Sequence, residues 1–223
     1  STDASWLVSN IVFKKCAPKA PKIIASHTNI VPRISDDFII LQSWIKKVTI
    51  NQLVDIAENI AGVKQVVAHA KPLRVSVEAE VGSVPYASGR DHIKSELTDV
   101  NEAIMMLEKA KPDVLAVSVG NVHRLENTFV DIDFSRFGEL QTALNVPLVI
   151  HGTSGVKTPD IQKLAQGNVC KFNIGTCLRQ RFGKSLRHIL ETDPNLFDRL
   201  TIMKNIIPEV SNEADKMIGL LGQ

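Results

Sequence analysis

From residue 59 onward, short β-branched runs alternate with stretches of helical periodicity, the pattern of βα units wound around a parallel sheet. Strands are expected at residues 74–80, 113–120, 147–151 and 170–174. Between them, residues 59–70 repeat apolar side chains at Ile60, Val63, Val66 and Val67, and residues 101–110 at Ala103, Ile104, Leu107 and Ala110. A further helix is expected over residues 158–166, with Thr158-Pro159-Asp160 as its capped start and Gly167 as its stop.

Each expected strand carries polar or glycine residues at its C-terminal end: Glu78 and Glu80, Gly120 to His123, His151 to Ser154, and Asn173 to Thr176. A (β/α)8 barrel gathers its active site on that face and commonly seats phosphate after its last strands. A doubly wound open sheet also binds ligands at strand ends, so this pattern admits both architectures.

The first 58 residues lack that cadence. Apolar pieces at residues 6–13, 22–31 and 38–50 are broken by Lys14-Lys15, Ala17-Pro-Lys-Ala-Pro21 and Ser35-Asp-Asp37. Four βα units require on the order of 100 residues, so this region cannot supply a complete front half. The expectation is one α/β domain in which residues 1–58 form a divergent segment and residues 59–223 the C-terminal half of a barrel, incomplete or altered in its first half.

Composition narrows the partners. With 44% hydrophobic residues in 223, the chain can bury a full core. A net charge of +2, with lysines and arginines scattered, does not make the basic stripe that nucleic acid requires. Cys16, Cys170 and Cys177 form no C-x-x-C pair, and their odd number argues for a reduced, cytoplasmic setting. No apolar run approaches the roughly 18 residues that span a bilayer, and the N-terminus lacks a signal-peptide pattern. A small-molecule partner is expected, with neither nucleic acid nor membrane.

Two segments share a design suited to an anion beside a metal. Val146-Pro-Leu-Val-Ile-His-Gly-Thr-Ser-Gly155 ends an apolar run in a histidine and a glycine turn, and Cys170-Lys-Phe-Asn-Ile-Gly-Thr176 ends one in Asn173 and then Gly175-Thr176. Glycine lets backbone N–H groups approach an anion, while hydroxyls and a following helix N-terminus add donors. Tight turns alone account for Gly152, Gly155 and Gly175, but not for Ser154, Asn173 and Thr176 gathered with His123 and His151. No G-x-G-x-x-G opens a helix after a strand, which argues against a nucleotide-binding sheet.

With Val75-Ser-Val-Glu-Ala-Glu-Val-Gly82 and Ala116-Val-Ser-Val-Gly-Asn-Val-His123, these motifs stand in the order and spacing of a known family. Residues 59–223 resemble the class II, metal-dependent fructose-bisphosphate and tagatose-bisphosphate aldolases. The resemblance implies a (β/α)8 barrel, a homodimer or homotetramer, that uses Zn2+ in glycolysis and related carbohydrate metabolism to cleave a ketose bisphosphate into dihydroxyacetone phosphate and an aldehyde. It implies that His123 and His151 hold the zinc, with Glu80 close by and able to bind a second or monovalent cation. It also implies that Gly152, Ser154, Asn173, Gly175 and Thr176 bind the dihydroxyacetone phosphate half, with Asn173 near the reacting carbons.

The departures matter as much. The family's catalytic aspartate and first zinc histidine form an Asp-His pair on an earlier strand, and no such pair occurs here in that context. Asp91-His92 is the only Asp-His dipeptide, and it lies in the loop after the Glu80 strand. That loop lacks the family's glycine pair, so Asp91 or Glu96 is the candidate for acid/base work. Arg124 replaces the glycine that commonly follows the metal histidine. Phe197-Asp-Arg-Leu200 partly matches a family Asp-Pro-Arg, which makes Arg199 a candidate for a neighbouring subunit's distal phosphate. The inherited function is expected to be that of an aldolase-type lyase, the alternative a catalytically impaired or truncated aldolase-like protein that binds phosphate or metal.

Overall fold

The structure, a computed structural model, describes residues 55–85, 96–125 and 128–222. The divergent segment up to residue 54, with its break at residues 17–21, and Asp91 with its His92 neighbour lie outside the described residues. Helix α1 (Ile56–Ala70) is followed by a short 3-10 turn at Lys71–Leu73. Then come β1 (Glu78–Val81), α2 (Val100–Ala110), β2 (Val114–Val117), α3 (Phe134–Ala143), β3 (Leu148–Ile150), α4 (Thr158–Gln166), β4 (Val169–Phe172), α5 (Thr176–Thr192) and α6 (Arg199–Leu220).

The strands pair in sequence order, β1-β2-β3-β4, all parallel. This is the run of consecutive βα units that the alternating pattern predicts, and it supplies four of a barrel's eight strands. The register aligns Glu80 with Ala116, Ala116 with Val149, and Val149 with Lys171, a single row on one face. The opposite face is apolar. Ala79 and Val81, Leu115 and Val117, Leu148 and Ile150, and Val169 and Phe172 join one buried cluster with Met106, Leu140 and Leu164 of the covering helices. Period-two alternation therefore sends one set of side chains to the helices and the other to the barrel interior.

One irregularity sets the interior of β4. Leu148 pairs with Val169 and Val149 with Lys171, so Cys170 is the extra residue of a β-bulge. Strict alternation from Val169 would turn Lys171 to the helix side. Beyond the bulge, Lys171 shares the row of Val149 and Phe172 packs in the apolar cluster.

The helices begin and end for local reasons. The Asp99 carboxylate accepts from the N–H groups of Asn101 and Glu102, and Asp133 accepts from Arg136, each capping its helix. Helix α4 spans the expected residues, but Lys157 is the capping position and makes no side-chain cap, while Thr158 is already helical and Pro159 occupies the first turn. Gly167 ends it where α3 packs close, since a Cβ there would lie 2.3 Å from Gln141 Oε1 and 2.8 Å from Phe137 Cζ. The first expected strand is shorter than predicted: Arg74 adopts a left-handed conformation (φ 55°) at the end of the 3-10 turn, and β1 starts only at Glu78. Among the described residues, no helix is long and apolar enough to cross a membrane.

Candidate active site and metal centre

The interior row and the loops that follow it bring the charged residues together. His151 follows β3 directly, and its Nε2 lies 3.0 Å from Glu78 Oε1 while its Nδ1 lies 3.8 Å from Glu80 Oε2. Both glutamates of β1 thus face the interior, as their spacing of two residues requires. Glu78 makes the closer contact, although Glu80 is the one that the resemblance singles out. Its other oxygen, Oε2, accepts from Lys171 Nζ at 2.7 Å, with both side chains largely shielded from solvent.

His123 sits on the loop after β2, where its backbone N–H donates to Pro85 at 2.7 Å. Gly152 makes the approach of the two histidines possible. Its φ is +65°, and a Cβ there would lie 2.4 Å from the Val122 carbonyl oxygen and 3.1 Å from the His123 nitrogen. Asn121, fully buried, donates to the His151 carbonyl at 2.9 Å and accepts from Val119 N–H at 2.8 Å, holding the two loops in register. The imidazole rings end up with centroids 5.6 Å apart, inclined at 55°.

Burial, the neighbouring His151 and the Arg124 guanidinium hold the His123 imidazole down at about 4. The ring is then neutral near pH 7, the form that offers a lone pair to a cation. Burial pushes the Glu80 carboxyl up, with His151 opposing and Glu78 adding to the push. Burial acts the same way on Glu78, but there the hydrogen bond with His151 and the charge of Lys171 win and the carboxyl titrates below its ordinary value.

With Zn–N bonds of about 2.0–2.1 Å, two imidazoles on one tetrahedral ion have centroids about 5 Å apart, and a nitrogen and an oxygen ligand lie about 3.4 Å apart. The 5.6 Å between the rings and the 3.8 Å from His151 Nδ1 to Glu80 Oε2 are close to those spacings. Among the described residues, no three His, Cys, Asp or Glu side chains form a group that could hold a metal ion. His123, His151 and Glu80 are donors of the kind zinc takes, two imidazoles and a carboxylate.

The two glycine loops are stitched side by side. Thr153 N–H donates to the Asn173 carbonyl, and the Cys177 N–H donates to Ser154 Oγ at 3.3 Å. Gly175 is the capping position of α5, so Thr176 opens a long helix whose N-terminus lies beside the Gly152 to Gly155 turn. Arg179 folds back over Gly175, with its Nη2 3.3 Å from Thr176 Oγ1. Among the described residues, the buried Asn173 Oδ1 has no hydrogen-bond partner.

Other candidates are placed differently. Glu96 is exposed and pairs with Ser83 in an isolated antiparallel bridge. Arg199 is exposed at the first residue of α6, outside the cluster of His123, His151 and the glutamates. Arg124 takes a left-handed conformation (φ 56°), the backbone that suits the glycine it replaces. Lys171, Asn121 and Cys177 carry no role in the sequence reading. For Lys171 a signal exists, because a lysine inside the apolar run Val169-Cys-Lys-Phe172 has to be paired if it is buried.

The model of class-II fructose-bisphosphate aldolase matches residues 52–223. Among solved structures, the YdjI aldolase from Escherichia coli K12 is similar with a TM-score of 0.61 and 29% identity, over 76% of this chain and 57% of that one. The fructose-bisphosphate aldolase from Campylobacter jejuni is similar with a TM-score of 0.61 and 19% identity, over 75% of this chain and 57% of that one, a likeness of fold. The aligned part of this chain thus corresponds to little more than half the length of either protein. Four consecutive parallel βα units fit a partial barrel of this type, and the chain belongs to the class-II fructose-bisphosphate aldolase family.

Proposed function

We propose that this protein is a zinc-dependent aldolase that cleaves a ketose bisphosphate, fructose 1,6-bisphosphate or a similar sugar, into dihydroxyacetone phosphate and an aldehyde. Membership of the family supports an aldolase-type lyase. The observation that carries the zinc reading is the approach of His123 and His151 to 5.6 Å beside the Glu78 and Glu80 carboxylates.

In this reading His123, His151 and Glu80 hold the zinc, with Glu80 also open to a second or monovalent cation. When bound there, zinc supplies a Lewis acid that polarises the ketone and stabilises the charge developing as the C3–C4 bond breaks. Gly152, Ser154, Gly175 and Thr176 seat the phosphate with backbone N–H groups, hydroxyls and the N-terminus of α5. The unpartnered Asn173 Oδ1 accepts a hydrogen bond from a substrate hydroxyl. Asp91 or Glu96 takes the proton of the C4 hydroxyl as the C3–C4 bond breaks, so that C4 leaves as the aldehyde and the bond's electron pair stays on the enediolate, whose C3 is then protonated; Arg199 meets the distal phosphate across an interface in a homodimer or homotetramer. The setting is cytoplasmic, and the partner is a sugar phosphate.

A second reading is a catalytically impaired aldolase-like protein that still binds phosphate and metal. It is favoured by one observation: no three-ligand group exists among the described residues. Zinc content and fructose 1,6-bisphosphate cleavage, compared for the parent, His123→Ala and His151→Ala, separate the two. Stoichiometric zinc lost in both variants, together with turnover, supports the aldolase. Zinc binding without turnover supports the impaired protein, and no zinc binding refutes the metal site in both.

A further inference from the structure

Lys171 reaches the site through another residue. Its ammonium donates to Glu78 Oε2 at 2.7 Å, and Glu78 Oε1 lies 3.0 Å from His151 Nε2. The lysine side chain is 11% exposed, the glutamate 18% and the histidine 15%, so this chain of contacts runs through shielded space. A carboxylate held by an ammonium is acceptor-only, so the imidazole nitrogen facing it has to present N–H. The geometry thus places N–H on Nε2 of His151 and makes Nδ1, 3.8 Å from Glu80 Oε2, the nitrogen available to a cation. The bulge at Cys170 puts Lys171 on the interior face where this is possible.

We propose that Lys171 is a positioning residue: by anchoring Glu78 it holds His151 as the Nε2–H tautomer, with Nδ1 turned to the cation position beside Glu80. This rests on the metal reading above for its consequence, but the tautomer itself does not. Orienting a ligating imidazole through a carboxylate commonly supports metal affinity by a factor of about 10–100. Arginine at 171 keeps the charge, whereas methionine keeps the length and loses it.

The test uses the full chain, labelled with 15N, in the metal-free state. Long-range 1H–15N spectra report the tautomer of each histidine, with His151→Gln identifying the His151 signals. The parent and Lys171→Arg are expected to show His151 as Nε2–H, and Lys171→Met a mixture or a reversal. Zn2+ affinity measured by chelator competition is expected to fall about 10–100-fold in Lys171→Met and to recover in Lys171→Arg. Should Lys171→Met fail to fold, Lys171→Gln, uncharged but polar, takes its place. A folded variant in which His151 stays Nε2–H overturns the proposal. A tautomer change in Lys171→Met, with a parent that binds no Zn2+, upholds the positioning and refutes the metal reading instead.

Discussion

Glu78 and Lys171, 93 positions apart in the chain, meet at 2.7 Å across the interior of the sheet although they stand on β1 and β4, the first and last of the four strands among the described residues. Neighbouring strands lie about 4.8 Å apart, so on a flat sheet the two would be about 14 Å apart with parallel side chains. Their contact is a direct sign of barrel curvature. Removing the ammonium alone leaves a shielded carboxylate without its main counter-charge. Lys171→Met should therefore lower unfolding free energy by about 3 kcal/mol, while adding Glu78→Gln should recover at least about 1 kcal/mol. Urea denaturation of the three proteins checks this, and strictly additive losses would refute it.

The same pair predicts a pH dependence. Burial raises the Glu78 carboxyl, but the hydrogen bond with His151 and the charge of Lys171 bring it below 4.5. A folded-state value below the unfolded one contributes stability that is present above the unfolded value and lost as pH falls through the folded value. Thermal melts from pH 6 downward should show the parent losing stability below about pH 4.5. Glu78→Gln should lose less over that interval, and parallel curves would count against the ion pair.

Gly152 is the hinge on which the two histidines approach. Alanine there meets both the left-handed backbone and the Val122 carbonyl at 2.4 Å. Gly152→Ala should destabilise by about 2 kcal/mol or more, and the displaced Val122-His123 peptide should weaken zinc binding. Calorimetry and metal titration of the variant test both. An unchanged melting temperature would contradict the close approach.

Lys111 ends α2 in a left-handed conformation (φ 57°), its N–H bonded to the Met106 carbonyl. Glycine suits that position, so Lys111→Gly should stabilise by about 1 kcal/mol. The change lies on an exposed residue, and denaturant midpoints read it directly.

Much of the architecture was legible because it is local. The βα cadence follows from side-chain periodicity, and all four expected strands and the three expected helices are present with ends shifted by a few residues. Glu78 and Glu80 share a face because strands alternate, and the histidines and glycine loops gather because parallel strands present one common end. The first strand was drawn too long because Arg74 reads as part of a β-branched run, whereas the 3-10 turn takes its backbone into the left-handed region. Thr158 reads as a cap, but Lys157 already has the extended backbone that precedes the helix.

The sequence by itself determined the order of elements, the apolar face of each, and the chemistry available at the strand ends, since these depend on residue type and spacing alone. Only the tertiary structure decided which charges meet. The bulge at Cys170 turns Lys171 into the interior, the curvature of the sheet carries it to Glu78, and Glu78 claims Nε2 of His151. Each of those steps depends on register between strands distant in sequence, which no local pattern encodes.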